Sequence, residues 1–161
     1  VSGIKLPYKD GAFNVVGAFD VLEHIDDHVG ALKEWARVIN KNGSVVITVP
    51  AYQWLWTDHD VSLHHKRRYT IKRLCQAAAE AGLQPEKISY AIAFSLPLVV
   101  GFRFLNKILD RKTDSETSYV NVPGWMNTLF TRLLYIEACF HAFVRFPTGT
   151  SVIAVLRKEE L

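Results

Sequence analysis

Between residues 51 and 69 the chain gathers His59, Asp60, His64, His65, Arg67, Arg68 and Tyr69, with Trp54 and Trp56 just ahead of them. These residue types suit Zn²⁺ or Fe²⁺. Their spacing is not that of one helix face, however, and a loop can place them anywhere, so no metal is assigned. Proton transfer has more support. His65 or Asp60 can serve as a general base toward a hydroxyl, because an imidazole titrates near neutral pH. The structural alternative is a buried ion-pair network holding the loop shut, Asp60 with Arg67 or Arg68. The run HHKRRYTIKR at 64–73 is basic and precedes a helix amino end, itself an anion site. It suits a phosphate or carboxylate, or else it is a solvated helix start with structural arginines. Glu23 and His24 form a second pair, which either reaches a reacting centre or braces its turn through side-chain to backbone bonds.

The elements that must position these groups begin with the stretch FNVVGAFDVLEHIDD at 13–27. Its apolar run, without charge or proline, predicts a strand buried on both faces of a parallel sheet. The switch to acids at its carboxyl end marks the crevice where an open α/β sheet keeps its ligand. None of the devices that protect an edge occur in it, so it should be paired on both sides. Too little chain precedes it for a parallel crossover to supply the second partner.

A helix capped by Asp26 or Asp27 should follow, running to about Ile39 and ended by Asn42-Gly43. A second buried strand at 44–49 closes at Pro50. Residues 51–69 make a loop long enough to be functional. Thr70 should cap the next helix and Gly82 end it. A strand at 87–93 and a helix starting near Pro97 come next, then a polar loop at 111–122. A helix at about 127–144 should carry Leu133, Ile136, Phe140 and Phe143 on one stripe, with Glu137 needing a cation or a cavity. A last strand spans 150–156. This is an α/β fold, half of a doubly wound domain, with a helical insertion or lid at 94–146 before the final strand.

Composition sets outer limits. The 161 residues suffice for one domain with a core, and 49% are hydrophobic. A net charge of +3 is too small to imply nucleic acid. Cys75 and Cys139 sit in apolar helical patterns and read as reduced core residues, which implies the cytoplasm. The uncharged stretch at 88–102 is shorter than the ~20 residues of a membrane span and is broken by Pro97. Peripheral membrane contact through 94–104 stays open. The chain starts at Val1 without signal-peptide features and reads as a piece of a longer protein.

The block LPYKDGAFNVV at 6–16, followed by DVLEHIDD at 20–27, resembles the central part of class I S-adenosylmethionine-dependent methyltransferases. Asn14 stands where that family usually has Asp. The later LWTDHD at 55–60 and HKRRYT at 65–70 are similar to a block in bacterial methyltransferases of that family, with His64 where the block usually has Gly. The resemblance implies a Rossmann-like fold present as its carboxyl-terminal half, with strand order 4-5-7-6 and the last strand antiparallel. It implies S-adenosylmethionine as cofactor, with Ser2 and Gly3 beside the adenine and Phe19 and Asp20 lining its side of the crevice. His65, Asp60 and His24 become the catalytic candidates. Trp56, His59, Arg67, Arg68, Tyr69 and Asn127 become acceptor-binding candidates. Trp54, Trp125 and Tyr119 suit a sugar-like or flat acceptor, or pack the inserted helices.

No two glycines are close enough for the G-x-G turn that lets backbone approach the cofactor. The chain alone is therefore expected not to bind S-adenosylmethionine. Three functions follow: methyl transfer to a small-molecule acceptor by the complete protein; a truncated module that homodimerises through its open strand; or a membrane-surface protein.

Overall fold

The computed structural model of the chain describes residues 5–108, 123–141 and 143–158. β1 (Phe13–Phe19), α1 (His28–Val38) and β2 (Ile39–Pro50) come first, then α2 (Asp58–Ser62), α3 (Ile71–Glu80) and β3 (Leu83–Ala91). α4 (Ser95–Ile108) and α5 (Gly124–Phe140) precede β4 (Ser151–Lys158). The sheet order is β1-β2-β4-β3. β1 and β2 are parallel, and β4 lies antiparallel between β2 and β3. This is the order and direction that the resemblance implied. Ser2, Gly3, Tyr119 and the polar loop expected at 111–122 lie outside the described residues.

The local signals act as anticipated at three caps. Asp27 Oδ1 accepts from Gly30 N at 2.8 Å and starts α1. Thr70 Oγ1 accepts from Arg73 N at 3.2 Å and starts α3. Gly82, at φ +70°, turns the chain out of α3 in a conformation that costs glycine little. α1 and α3 touch each other and cover one face of the sheet, α1 over β2 and α3 over β3. Leu32, Val45, Ile47, Val49, Leu74 and Leu156 are fully enclosed there.

Other expectations need correction. Asn42-Gly43 does not end α1; the helix stops at Val38 and both residues lie inside β2. Buried Ile39 already has extended backbone, and Asn40 Oδ1 accepts from Asn42 N at 3.0 Å, so the bend falls within the strand. A Cβ on Gly43 would stand 2.9 Å from Asn14 O, which is why no larger residue fits the bend. Ile136 and Phe140 on α5, and Phe143 beyond its end, are exposed, and the inward stripe is Met126, Phe130, Leu133, Glu137 and the carboxyl-cap residue His141. A polar tie sets that rotation: both Glu137 oxygens accept from Ala93 N, at 2.9 and 3.1 Å, just beyond β3. His141 Nε2 stands 3.5 Å from the same carboxylate.

β1 is not buried on both faces. It has a hydrogen-bonded neighbour on one side only among the described residues, and Val15 and Phe19 are 59% and 62% exposed. Ala18, by contrast, points into the core at 4% exposure. A charge that protects this edge therefore belongs at Val15. Val15→Lys is expected to raise solubility with stability unchanged to within about 0.5 kcal/mol, as at ordinary surface sites. Ala18→Lys is expected to unfold much of the protein, because an unpaired ammonium must leave water. Urea unfolding and sedimentation of both variants check the pair. Among the described residues no helix is long and apolar enough to cross a membrane.

Candidate functional site

Because β1 and β2 are parallel, their carboxyl ends lie side by side, with Phe19 registered against Thr48. Two residues just past those ends, Asp20 and Tyr52, take positive φ of 52° and 55°. Such backbone is uncommon outside glycine and here turns both chains sharply out of the sheet. After β1, a single 3-10 turn over Leu22–His24 follows. Leu22 is fully buried, so Glu23 is carried inward to 0% exposure while His24 stays at the surface.

After β2, residues 51–69 leave and return. Tyr52 N donates to Tyr69 O at 2.7 Å and Tyr69 N donates to Pro50 O at 2.8 Å, closing the base of the loop. The segment is not structureless: Leu55 anchors a 3-10 turn over Gln53–Leu55, and Thr57 with Asp60 forms the capping box that starts α2.

Asp60 is the hub of this loop and is 0% exposed. Arg68 grips it with a fork, Nε to Oδ1 at 2.8 Å and Nη2 to Oδ2 at 2.9 Å. His65 Nδ1 is 2.8 Å from Oδ1. Thr57 N and Oγ1 donate to Oδ2 at 2.8 and 3.1 Å. Burial alone would raise this carboxyl; the bonds from Arg68, His65 and Thr57 outweigh it and hold Asp60 well below the usual carboxylate range. An ionised acceptor so placed requires a proton on His65 Nδ1, so that in the neutral ring Nε2 is the nitrogen with the lone pair. The network anticipated between Asp60 and an arginine is therefore present, with Arg68 as the partner.

Arg67 does something else. Its Nη1 and Nη2 donate to Ile25 O at 2.7 Å and Asp26 O at 2.9 Å. Lys66 N donates to Glu23 O at 2.8 Å. These bonds fasten the second loop to the first and bring His65 against the 3-10 turn. The His24 and His65 rings meet edge to face, with centroids 4.7 Å apart. One ligand atom each from Glu23, His24 and His65 lies within 4.8 Å of the others.

Glu23 is the residue the sequence pattern undervalued. Both its carboxyl oxygens are buried without a hydrogen-bond partner. Burial, with the Asp20 charge adding to it, pushes the carboxyl up to about 7 against the opposing charges of His65 and Arg68.

The other candidates fall in different places. Phe19 and Asp20 are exposed at the carboxyl end of β1. Trp56 is half-buried and His59 is exposed on α2. Tyr69 is fully buried in the core, so its proposed contact with an acceptor is corrected to a packing role, with Arg73 over its ring at 5.6 Å. Asn127 is exposed in the first turn of α5. His64 has φ +56°, the left-handed backbone that glycine adopts freely, which accounts for the glycine of similar sequences at that position.

Comparison with known proteins agrees with this architecture. Residues 2–47 match the family model described as a methyltransferase domain. Norajmaline N-methyltransferase of Rauvolfia serpentina is 30% identical over 76 residues, which is 47% of this chain and 26% of that protein. A geranyl diphosphate methyltransferase solved in complex with SAM superposes with a TM-score of 0.57 at 10% identity, covering 97% of this chain and 55% of that one. The [4+2]-cyclase SpnF superposes with a TM-score of 0.54 at 17% identity, covering 99% and 55%. The chain thus spans about a quarter of the curated relative and about half of the solved structures. The presence of a cyclase shows that the fold alone does not fix the reaction. Residues 2–47 are thus similar in sequence to a methyltransferase domain, and nearly the whole chain has the Rossmann-like fold of a solved S-adenosylmethionine-binding methyltransferase.

Proposed function

We propose that the complete protein transfers the methyl group of S-adenosylmethionine to a hydroxyl-bearing small-molecule or sugar-like acceptor, in the cytoplasm. The observation that carries the reading is the pair of loops at the carboxyl ends of β1 and β2, joined main chain to side chain around Asp60, Arg68 and His65. In-line methyl transfer asks mainly for positioning of its two substrates. Asp60 and Arg68 are positioning residues: they fix the His65 ring with Nδ1–H toward Asp60, and His65 acts on the acceptor through Nε2. His24 shares that face. Phe19 and Asp20 border the cofactor. Trp56, His59 and Asn127 border the acceptor, and α4 and α5 belong to the lid.

Calorimetric titration with S-adenosylmethionine tests the reading. The protein as the cell makes it is expected to bind, and the 161-residue chain alone is expected not to. Absence of binding by the complete protein overturns the reading. In the complete protein, His65→Ala is expected to lower kcat by about 10²–10⁴-fold, the usual share of a group that assists proton transfer. Its affinity for S-adenosylmethionine should stay within about threefold. Steady-state kinetics with calorimetry measures both.

A second reading rests on the open side of β1, where Val15 and Phe19 are exposed. Made alone, the chain pairs with a second copy of itself along that strand. Sedimentation that finds a stable monomer refutes it.

A further inference from the structure

We propose that Glu23, His24 and His65 hold a divalent first-row transition ion of the Zn²⁺ or Fe²⁺ class. The ligand atoms of the three side chains already lie within 4.8 Å of one another. Bonds of about 2.0–2.1 Å in a tetrahedral site put ligand atoms roughly 3.3 Å apart, so small rotations of the side chains close the set.

Three independent features support the site. Glu23 is fully buried, yet neither of its oxygens has a partner. A buried carboxylate without a partner is costly, and a cation is what it lacks. His65 gives Nδ1 to Asp60 at 2.8 Å, which leaves Nε2 as the ligand nitrogen. That chain of carboxylate, imidazole and ion is the usual way in which a metal-binding histidine is oriented. Finally, the backbone bond from Lys66 N to Glu23 O holds the two loops in register, so the ligands stand together before any ion arrives.

The donor set chooses the ion. Two imidazoles and one carboxylate suit Zn²⁺, Fe²⁺ or Co²⁺, whereas Ca²⁺ and Mg²⁺ prefer oxygen throughout. His24 is at the surface, so the fourth side is open. This is the arrangement of sites that work on a bound molecule rather than sites that only brace a fold. It deepens the reaction proposed above by changing the part of His65: with Nε2 on the ion the ring would orient the ion instead of taking the proton, and an acceptor hydroxyl bound to the ion would release its proton to water more readily. That last consequence rests on the methyltransferase reading; the site itself does not.

The test is titration of the chelator-stripped complete protein with Co²⁺, followed by its visible absorption, then displacement by Zn²⁺. One equivalent is expected, with bands of a low-coordinate site. Glu23→Gln and His24→Ala are each expected to weaken binding at least tenfold, with circular dichroism unchanged. His64→Asn, beside the cluster but outside it, is expected to bind as the wild type does. Absence of the bands, or equal binding by Glu23→Gln, would assign the affinity to surface histidines and overturn the proposal. Because the readout is the ion's own spectrum, this outcome is separate from that of the cofactor titration.

Discussion

Replacing Asp60 by alanine is expected to destabilise the protein by about 3–5 kcal/mol, the cost of removing one member of a buried ion pair. The carboxylate accepts from Arg68, His65 and Thr57 at once, and its side chain is wholly enclosed. Without it, the Arg68 guanidinium stays 14% exposed beside uncharged atoms. Loss of the capping box also frees the start of α2. The same carboxyl sets the acid limit. Its folded pKa lies below the ordinary 3.8, so its contribution is full above that value and disappears as the pH falls through the lower one. Urea unfolding at neutral pH and acid unfolding of both proteins measure the effect. A loss under about 1 kcal/mol would mean that Arg68 escapes to water and that the loop tolerates its release.

Glu23→Gln is expected to act in the opposite direction. At pH 8, with metal chelated, it should stabilise the protein by about 1–3 kcal/mol, by removing a buried charge that has no partner. The folded carboxyl titrates near 7, above its ordinary 4.5. For a raised carboxyl, stability is complete below pH 4.5 and falls as the pH rises to about 7. The gain should therefore be absent at pH 4, where both side chains are neutral, and full at pH 8. Thermal unfolding at the two pH values decides it. A variant less stable than wild type at pH 8 would mean that the carboxylate has a partner in solution.

Stability and function pull apart at this position. A residue whose neutral replacement stabilises the fold is one that the fold does not need. With that outcome Glu23 would behave as site residues do, its buried and unpartnered carboxyl breaking a local rule of the core.

Much of the frame was legible because it rests on short-range chemistry. Asp27 and Thr70 cap helices with bonds to residues three positions on, and such signals are local in the chain. Strand order came from the resemblance, which carries long-range information that periodicity lacks. The errors have a common physical origin. The α5 stripe was read from apolar spacing, but a buried Glu137 bonded to Ala93 N rotated the helix instead. Apolar periodicity cannot register a polar anchor supplied by another element. Within the site, the choice between Arg67 and Arg68 was open because adjacent residues in extended chain point to opposite sides. Arg68 turned to Asp60 and Arg67 to the main chain of the first loop. The grouping of Glu23 with His65 depends on a bond from Lys66 N to Glu23 O, across a separation that no local pattern reports.

The manner in which the second loop grips the first bears on how a fold of this kind is diversified. Lys66 N and the Arg67 guanidinium hold carbonyls of Glu23, Ile25 and Asp26, not side chains. A carbonyl is the same whichever residue carries it. Residues 51–69 can therefore be transplanted as a cassette between related scaffolds, provided that Arg67 and the Asp60–Arg68 pair travel with it. The recipient need supply the backbone path of its 3-10 turn, with Asp26 for Lys66 Nζ at 3.4 Å and His24 for the His65 ring. On the proposed function, acceptor preference would then be exchanged in one step, with the sheet and its helices left as they are.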